Sequence, residues 1–170
     1  MWMNTVSKTE QLSQEEYLKR CQAAANKGNV VAQNTLGFLY LNGQGIKQSD
    51  EEAVTWFRRA AHDGYAAAQY NLAVMYKLGQ GVEQSHSESI KWMQASANQG
   101  YVEAQSNLGD LYYQGLGVMQ DYAMAYLWWT LAGLNGANDI EHKLSDLSSK
   151  MTEPQIREAE QLVVQWKTKH

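Results

Sequence analysis

Residues 64–82 read GYAAAQYNLAVMYKLGQGV, and closely similar stretches occupy residues 28–46 (GNVVAQNTLGFLYLNGQGI) and 100–118 (GYVEAQSNLGDLYYQGLGV). The three copies start 36 residues apart, without an insertion between them. A fourth copy begins at Gly136 and then diverges, as terminal units of repeat arrays commonly do. The fixed spacing indicates that most of the 170-residue chain is a stack of similar structural units.

Each unit predicts a pair of helices. The apolar residues Ala32, Leu36 and Tyr40 recur at intervals of four, which predicts one helix, named A, in each copy. A second apolar stripe that includes Val54 and Phe57 predicts the following helix, named B. Start signals for the B helices also recur every 36 residues, as three Ser-x-x-Glu capping boxes and one aspartate, at Ser13, Ser49, Ser85 and Asp121.

The helix pairs predict an all-α fold, a right-handed α-solenoid of antiparallel helix pairs with 36-residue repeats and a tetratricopeptide-like superhelical shape. A two-helix unit cannot bury its own apolar face, so each unit is expected to stack on the next. We expect residues 1–12 to form a flexible N-terminal tail and residues 13–170 to form a single solenoid. The solenoid would comprise a lone B helix, three AB repeats, a degenerate fourth repeat and a C-terminal capping helix that begins near Pro154.

The stretch LNGQGIKQS at residues 41–49 has two glycines followed by a lysine and a serine, so it could be taken for a phosphate-binding loop. In the other copies Glu83 and Met119 replace Lys47, and the G-x-x-x-x-G-K-[ST] spacing is absent. Both glycines recur in all three copies, whereas the lysine does not. We therefore interpret the stretch as the corner between helices A and B, with glycines such as Gly45 at positive φ.

Composition narrows the classes of partner. The formal net charge of -4 and the pI near 5.5 argue against a nucleic-acid partner, which normally leaves a basic patch. No apolar run approaches the ~18 residues typical of a membrane span, and the first residues lack the pattern of a signal peptide. We expect no membrane insertion, a monomer and a cytoplasmic location, or a periplasmic or secreted one if an upstream signal has been removed.

No group of residues predicts an enzyme. Cys21 falls in register with Phe57, Met93 and Trp129, which favours a buried thiol over a reactive one. The four histidines lack the spacing of metal ligands and are expected at the surface, at His62, His86, His142 and His170. No carboxylate pair indicates a general acid and base. We expect no catalytic residue, no cofactor and no metal.

The tryptophans allow two interpretations, an aromatic cage or core packing. Trp56, Trp92 and Trp128 recur in register within apolar stripes, which favours the core. Trp129 is less clearly assigned, and Trp2 lies in the polar tail.

The pattern A-x-Q-x-x-L-[GA]-x-x-Y-x-x-G-x-G-[VI], followed by a helix with tryptophan and paired alanines, resembles the Sel-one-like repeat (SLR) family over about residues 14–168. Many members carry proline and aspartate after the G-x-G-V, but in this chain only Asp121 matches, in the third copy. Many exported members also carry a cysteine pair in each repeat, whereas this chain has a single cysteine. The resemblance implies a bacterial binding scaffold rather than an enzyme, of the kind found in signalling, envelope or host-interaction complexes.

In related helical arrays the A helices line the concave face, and positions beside the core stripe are expected to face that groove. The predicted partner-binding residues are Asn34, Phe38, Leu41, Tyr70, Val74, Lys77, Ser106, Asp110, Tyr113 and Gln114. Alternatively, Phe38, Leu41 and Tyr70 could pack against the N-terminal tail or the first B helix. The groove becomes acidic toward the C-terminus, through Glu103, Asp110, Asp139 and Asp146.

The function predicted from these features is that of a non-enzymatic adaptor whose concave groove binds a partner protein or peptide. Its ligand would present an apolar end toward Phe38 and a basic end toward Asp110. One alternative is an immunity or inhibitor protein that neutralises a secreted effector enzyme. A second is an accessory regulatory subunit of an envelope enzyme that acts on peptidoglycan.

Overall fold

The structure is a computed structural model, and it describes residues 13–169. Within this range the chain forms nine α-helices and no strand, namely α1 Gln14–Asn26, α2 Val30–Asn42, α3 Asp50–His62, α4 Ala66–Leu78, α5 His86–Asn98, α6 Val102–Gln114, α7 Tyr122–Leu134, α8 Ile140–Lys150 and α9 Glu153–Lys169. The predicted tail, with Trp2, and His170 lie outside the described residues. No helix in the described range is long and apolar enough to cross a membrane.

The helices stack in chain order. The A helices α2, α4 and α6 pair with the B helices α3, α5 and α7, and α1 packs against α2 at the start of the stack. At the other end α7 contacts both α8 and α9. The prediction of an all-α solenoid built from helix pairs of 36 residues is confirmed.

The corners between A and B helices are tight turns. Gly43 ends α2 in the left-handed conformation, with φ of 63°, and Gly45 has φ of 72°, as predicted. The Gln48 side chain closes the turn by donating from Nε2 to the Leu41 carbonyl oxygen at 3.0 Å. The equivalent glutamines make the same bond in the next two repeats. The corner is therefore a recurring turn closed by its own glutamine, which supports the interpretation as a bend between helices A and B.

The predicted capping boxes form only in part. The Ser49 and Ser85 hydroxyls accept the backbone N–H three residues on, at 3.2 and 3.3 Å. In a full capping box the glutamate side chain would also accept the serine backbone N–H, and this part of the prediction is wrong. That N–H donates instead to the carbonyl oxygen of Tyr40 or Tyr76, at 3.0 Å. The corner brings this carbonyl close, so the backbone satisfies the donor that the glutamate was expected to satisfy.

The buried stripe of the A helices differs from the predicted one. Leu36, like its equivalents in the next two repeats, is fully buried, but Ala32 and Tyr40 are only half-buried. The stripe includes an unexpected buried glutamine in each repeat, at Gln33, Gln69 and Gln105. Each donates to a carbonyl oxygen at the end of the preceding B helix, at 3.0 to 3.4 Å. A recurring polar residue inside an apolar stripe was the sequence signal for this contact.

The tryptophans pack against the core as predicted, but to different depths: Trp128 is fully buried, whereas Trp56 and Trp92 pack against the hydrophobic clusters from partly exposed positions. Trp128 is buried, since α9 packs against α7 and the Trp166 ring lies 6.4 Å from it. Trp56 and Trp92 are half-buried and lie beneath the cations of Arg59 and Lys91. Trp129, the less clearly assigned residue, is buried.

The in-register apolar position on the B helices is buried in all four copies, which confirms the prediction for Cys21. Burial raises the pKa of the Cys21 thiol, and its Sγ lies 3.4 Å from the carbonyl oxygen of Ala32. A thiol in this environment is poorly reactive.

Candidate binding face

The surface formed by α2, α4, α6 and α8 is called the A face here. Side-chain hydrogen bonds join its helices, and the first two bonds connect residues 37 positions apart. Asn71 Nδ2 donates to Asn34 Oδ1 at 2.8 Å, and Asn107 Nδ2 donates to Tyr70 Oη at 3.0 Å. The A helices therefore form a continuous surface with a polar ladder across its junctions.

At the N-terminal end of the A face, Phe38 is 40% exposed and its ring stands edge-on to Phe57 at 5.3 Å. Leu41 is half-buried in the cluster around α3 and α4. Asn34 is buried, so of the three predicted residues here Phe38 is the most accessible. Phe38 contacts α3 through the Phe57 ring, and its 40% exposure leaves part of its own ring available to a partner.

In the middle of the face, Tyr70 is half-buried, and its ring lies 5.3 Å from that of Tyr101. Val74 is also half-buried, whereas Lys77 is exposed. The ion pairs formed among the described residues do not include Lys77. Its ammonium group is therefore available to an external anion.

Toward the C-terminus, the Asp110 carboxylate is held by two donors. Lys143 Nζ lies 2.6 Å from Asp110 Oδ1, and Trp129 Nε1 donates to the same oxygen at 3.1 Å. The Trp129 indole also lies 3.2 Å from the carbonyl oxygen of Ser106. Two of the predicted groove residues are thus fixed by a buried side chain of α7.

Tyr113 belongs to a second polar cluster, with Asp146 and Lys150 of α8. Its hydroxyl donates to Asp146 Oδ2 at 2.7 Å and accepts a hydrogen bond from Lys150. Hydrogen bonds from Lys150 and then from Tyr113 lower the pKa of the Asp146 carboxyl, and the bond to Asp146 raises the pKa of Lys150. The Tyr113 ring lies 5.3 Å from that of Trp129, so the cluster is also packed against the core.

These clusters change the charge expected for this end of the face. The predicted acidic charge included the carboxylates of Asp110 and Asp146, but each forms an ion pair with a lysine of α8. Glu103 and Asp139 remain exposed, and their carboxylates form no ion pair within the described range. The acidic charge predicted for this end of the groove is therefore partly compensated.

Three of the predicted residues line one cavity. Lys77, Asp110 and Gln114 border a space of about 320 Å³ between α4, α5 and α6, called the α4–α6 cavity here. The other predicted residues lie outside its lining. Gln114 is exposed at its edge.

Sequence reasoning missed the lysines and asparagines that tie the A helices together. Asn71, Asn107 and Lys143 occupy equivalent positions in successive repeats, so the period itself was a signal for a shared role. Within residues 13–169 no three histidines, cysteines or acidic residues cluster as metal ligands do. His62, His86 and His142 are exposed, as predicted.

Comparison with family models matches a Sel1 repeat to residues 30–65, 66–101 and 102–136. Among solved structures, the chain is 34% identical, with a TM-score of 0.80, to a protective antigen of uropathogenic Escherichia coli strains that displays an SLR fold. It is 30% identical, with a TM-score of 0.72, to a Sel1 repeat protein from Oxalobacter formigenes. The alignments cover 91% and 76% of this chain, but only 33% and 55% of those chains. Comparison with curated proteins gave no match.

Proposed function

The chain belongs to the Sel1 repeat family, and we propose that it is a non-enzymatic scaffold that binds a segment of a partner protein on its A face. Proteins of this fold are typically non-catalytic scaffolds, and the family suggests protein–protein interaction. The observation that carries the proposal is an accessible row of side chains along a surface that hydrogen bonds hold in place. Phe38, Lys77 and Gln114 are exposed on three successive parts of that surface.

A preformed surface favours binding because little conformational entropy is lost when the partner docks. The A helices are tied together at Asn34–Asn71, Tyr70–Asn107 and Asp110–Lys143. A partly exposed aromatic side chain such as Phe38 can act as an anchor, since aromatic residues are enriched among the residues that dominate binding energy.

Site-specific photo-crosslinking tests this proposal. A benzophenone amino acid is introduced at Phe38 or Gln114 on the A face, and at Thr55 or Lys91 as matched controls on the B helices. All four positions are exposed, and none is part of the ladder that joins the A helices. Tyr70 and Tyr113 are avoided, because their hydroxyls bond to neighbouring helices and their loss would disturb the solenoid.

We expect the same partner to crosslink from Phe38 and Gln114 in a lysate of the source organism, and to be identified by mass spectrometry. The control positions should give little of that product. A partner that crosslinks only from Thr55 or Lys91 would contradict the proposal and assign binding to the B helices.

A further inference from the structure

The α4–α6 cavity has the size and lining of a ligand pocket. Its volume of about 320 Å³ lies at the lower end of the range of roughly 300–1,000 Å³ typical of such sites. Its apolar wall is formed by Ile90, Met93, Leu111 and Leu116. Leu116 is 56% exposed, so the wall continues to the surface. Lys77 and Gln114, which are exposed on A helices, also border the cavity, so a bulky apolar side chain could enter from the A face.

The charged groups at the cavity are not balanced. Asp110 is the carboxylate in the cavity lining, and it already binds the Lys143 ammonium group and the Trp129 indole N–H. Lys77 is exposed and forms no ion pair among residues 13–169. The first turn of α5 also borders the cavity through His86 and Ser89, and the positive end of a helix favours an anion. The rim thus favours a negatively charged group next to an apolar one.

The preceding junction, 36 residues earlier, lacks these features. The larger Phe57 stands where Met93 lines the cavity, and Leu41 and Val74 replace Lys77 and Asp110. The corner also sits closer at the earlier junction. A Cβ at Gly81 would lie 2.3 Å from the Asp50 backbone, whereas the nearest atom to a Cβ at Gly117 is the end of the Ile90 side chain, at 3.0 Å.

We propose that the α4–α6 cavity receives a bulky apolar side chain of the partner and that Lys77 pairs with an aspartate or glutamate beside it. The inference rests on the proposed function, because it assigns the chemistry of the segment that the A face binds. The partner motif is an apolar residue adjacent to an acidic one. This differs from the basic end predicted from the sequence, because the lysines of α8 neutralise Asp110 and Asp146.

Two dipeptide probes that differ only in charge test the inference. They are N-acetyl-leucyl-glutamyl amide and N-acetyl-leucyl-glutaminyl amide, titrated into the protein while the methyl NMR signals of Ile90, Met93 and Leu111 are followed. We expect both probes to shift these signals, and the acidic probe to bind more tightly. Lys77→Gln should weaken the acidic probe about two- to fivefold, the range for one exposed ion pair, and leave the neutral probe unchanged.

The matched control is Lys91→Gln, which removes a lysine that pairs with Glu88 outside the cavity lining. It should change neither affinity. Ile90→Phe should reduce binding of both probes by filling the cavity, and circular dichroism would check its fold. Because Lys77 is exposed, Lys77→Gln keeps the test valid if the Ile90→Phe protein does not fold.

Equal affinity of the two probes for the wild-type protein, or no methyl shift up to millimolar concentration, would overturn the inference. Tighter binding of 4-methylpentanoate than of the acidic dipeptide would also overturn it, in favour of a small carboxylic acid. If Lys77→Gln leaves partner crosslinking from Phe38 unchanged, the inference fails while the proposed function stands. If the crosslinking proteins that retain Lys77 capture the partner only from the B-helix positions, the proposed function itself is refuted.

Discussion

Gly109 of α6 lies directly against the indole ring of Trp129 of α7, where a Cβ atom at Gly109 would come within 2.2 Å of Trp129 Cδ1. The first repeat has the same relationship, since a Cβ at Gly37 would lie 2.4 Å from Phe57 Cε1. In both cases a residue without a side chain makes room for the large residue 20 positions later on the following B helix. This contact sets how closely the two helices of a repeat approach each other.

Gly109→Ala is therefore expected to destabilise the protein by ~1–3 kcal/mol, the usual cost of overpacking a core. Hydrogen bonds from the Trp129 indole to Ser106 and Asp110 restrict its movement away from the new methyl group. Urea unfolding followed by circular dichroism measures the change. Gly133→Ala is the matched control, because a Cβ there would meet Ile140 at an ordinary 3.4 Å. Alanine should stabilise that helix by up to ~1 kcal/mol, so equal stability of the two variants would contradict the packing account.

The second repeat has a less extreme version of this pair, Ala73 with Met93, in the same buried cluster. Met93→Phe alone should overpack the site and lower stability. Ala73→Gly combined with Met93→Phe should recover much of that loss, since it recreates the Gly37–Phe57 arrangement. A double-mutant cycle of unfolding free energies should give a favourable coupling of ~0.5–3 kcal/mol. Simple additivity of the two changes would show that the residues do not share a packing site.

Asp63→Asn is expected to stabilise the first repeat. In the other two repeats the side-chain oxygen Oε1 of the buried glutamine accepts a hydrogen bond from a side-chain amide. Gln99 donates to Gln69 at 2.7 Å, and Asn135 donates to Gln105 at 2.9 Å. The equivalent residue of the first repeat is Asp63, whose carboxylate cannot donate. Gln33 Oε1 accordingly has no hydrogen-bond partner in the described part of the chain.

Supplying the missing donor should raise the free energy of unfolding by ~1 kcal/mol, as for an ordinary buried hydrogen bond. Asp63→Ala is the control, because it also removes the unfavourable negative charge at the end of α3 but provides no donor. The asparagine variant should be the more stable of the two in thermal unfolding. If the two variants are equally stable, the benefit comes from charge removal alone.

The Asp146 carboxyl gives a pH-dependent prediction. Its folded pKa lies below the ordinary value of 3.8, first because of the hydrogen bond from Lys150. The ion pair therefore adds stability above pH 3.8, and this contribution is lost as the pH falls through the folded pKa. The advantage of wild type over Asp146→Asn in unfolding free energy should shrink as the solution is acidified below that value.

Carboxyl-carbon NMR titration checks the cause directly. Lys150→Met should raise the Asp146 pKa toward its ordinary value. Lys143→Met should leave it unchanged, because Lys143 pairs with Asp110 instead. An Asp146 pKa that does not respond to Lys150→Met would remove the basis for the pH prediction.

Much of the fold could be predicted from the sequence, because helices and their ends depend on nearby residues. The 36-residue spacing, the serine caps and the paired glycines each act within one unit, and each appears in the structure. Cys21 could also be placed in the core, since the period aligned it with three larger apolar residues.

The candidate site was less predictable because it depends on contacts between units. The pairs Asp110–Lys143 and Tyr113–Asp146 each span 33 residues, and nothing local to either partner indicates the other. The same limit applies to how deeply each tryptophan is buried, because full burial of Trp128 depends on α9 packing back against α7.

The sequence by itself determined the repeat, the helix pairs, the glycine corners and the family, since backbone preferences and apolar periodicity act over a few residues. Only the tertiary structure decided which carboxylates are neutralised, which aromatic rings remain accessible and where a cavity opens between α4 and α6. The physical reason is that burial and ion pairing depend on distances between side chains of different repeats. Those distances are set when the helices pack, as Gly109 and Trp129 show.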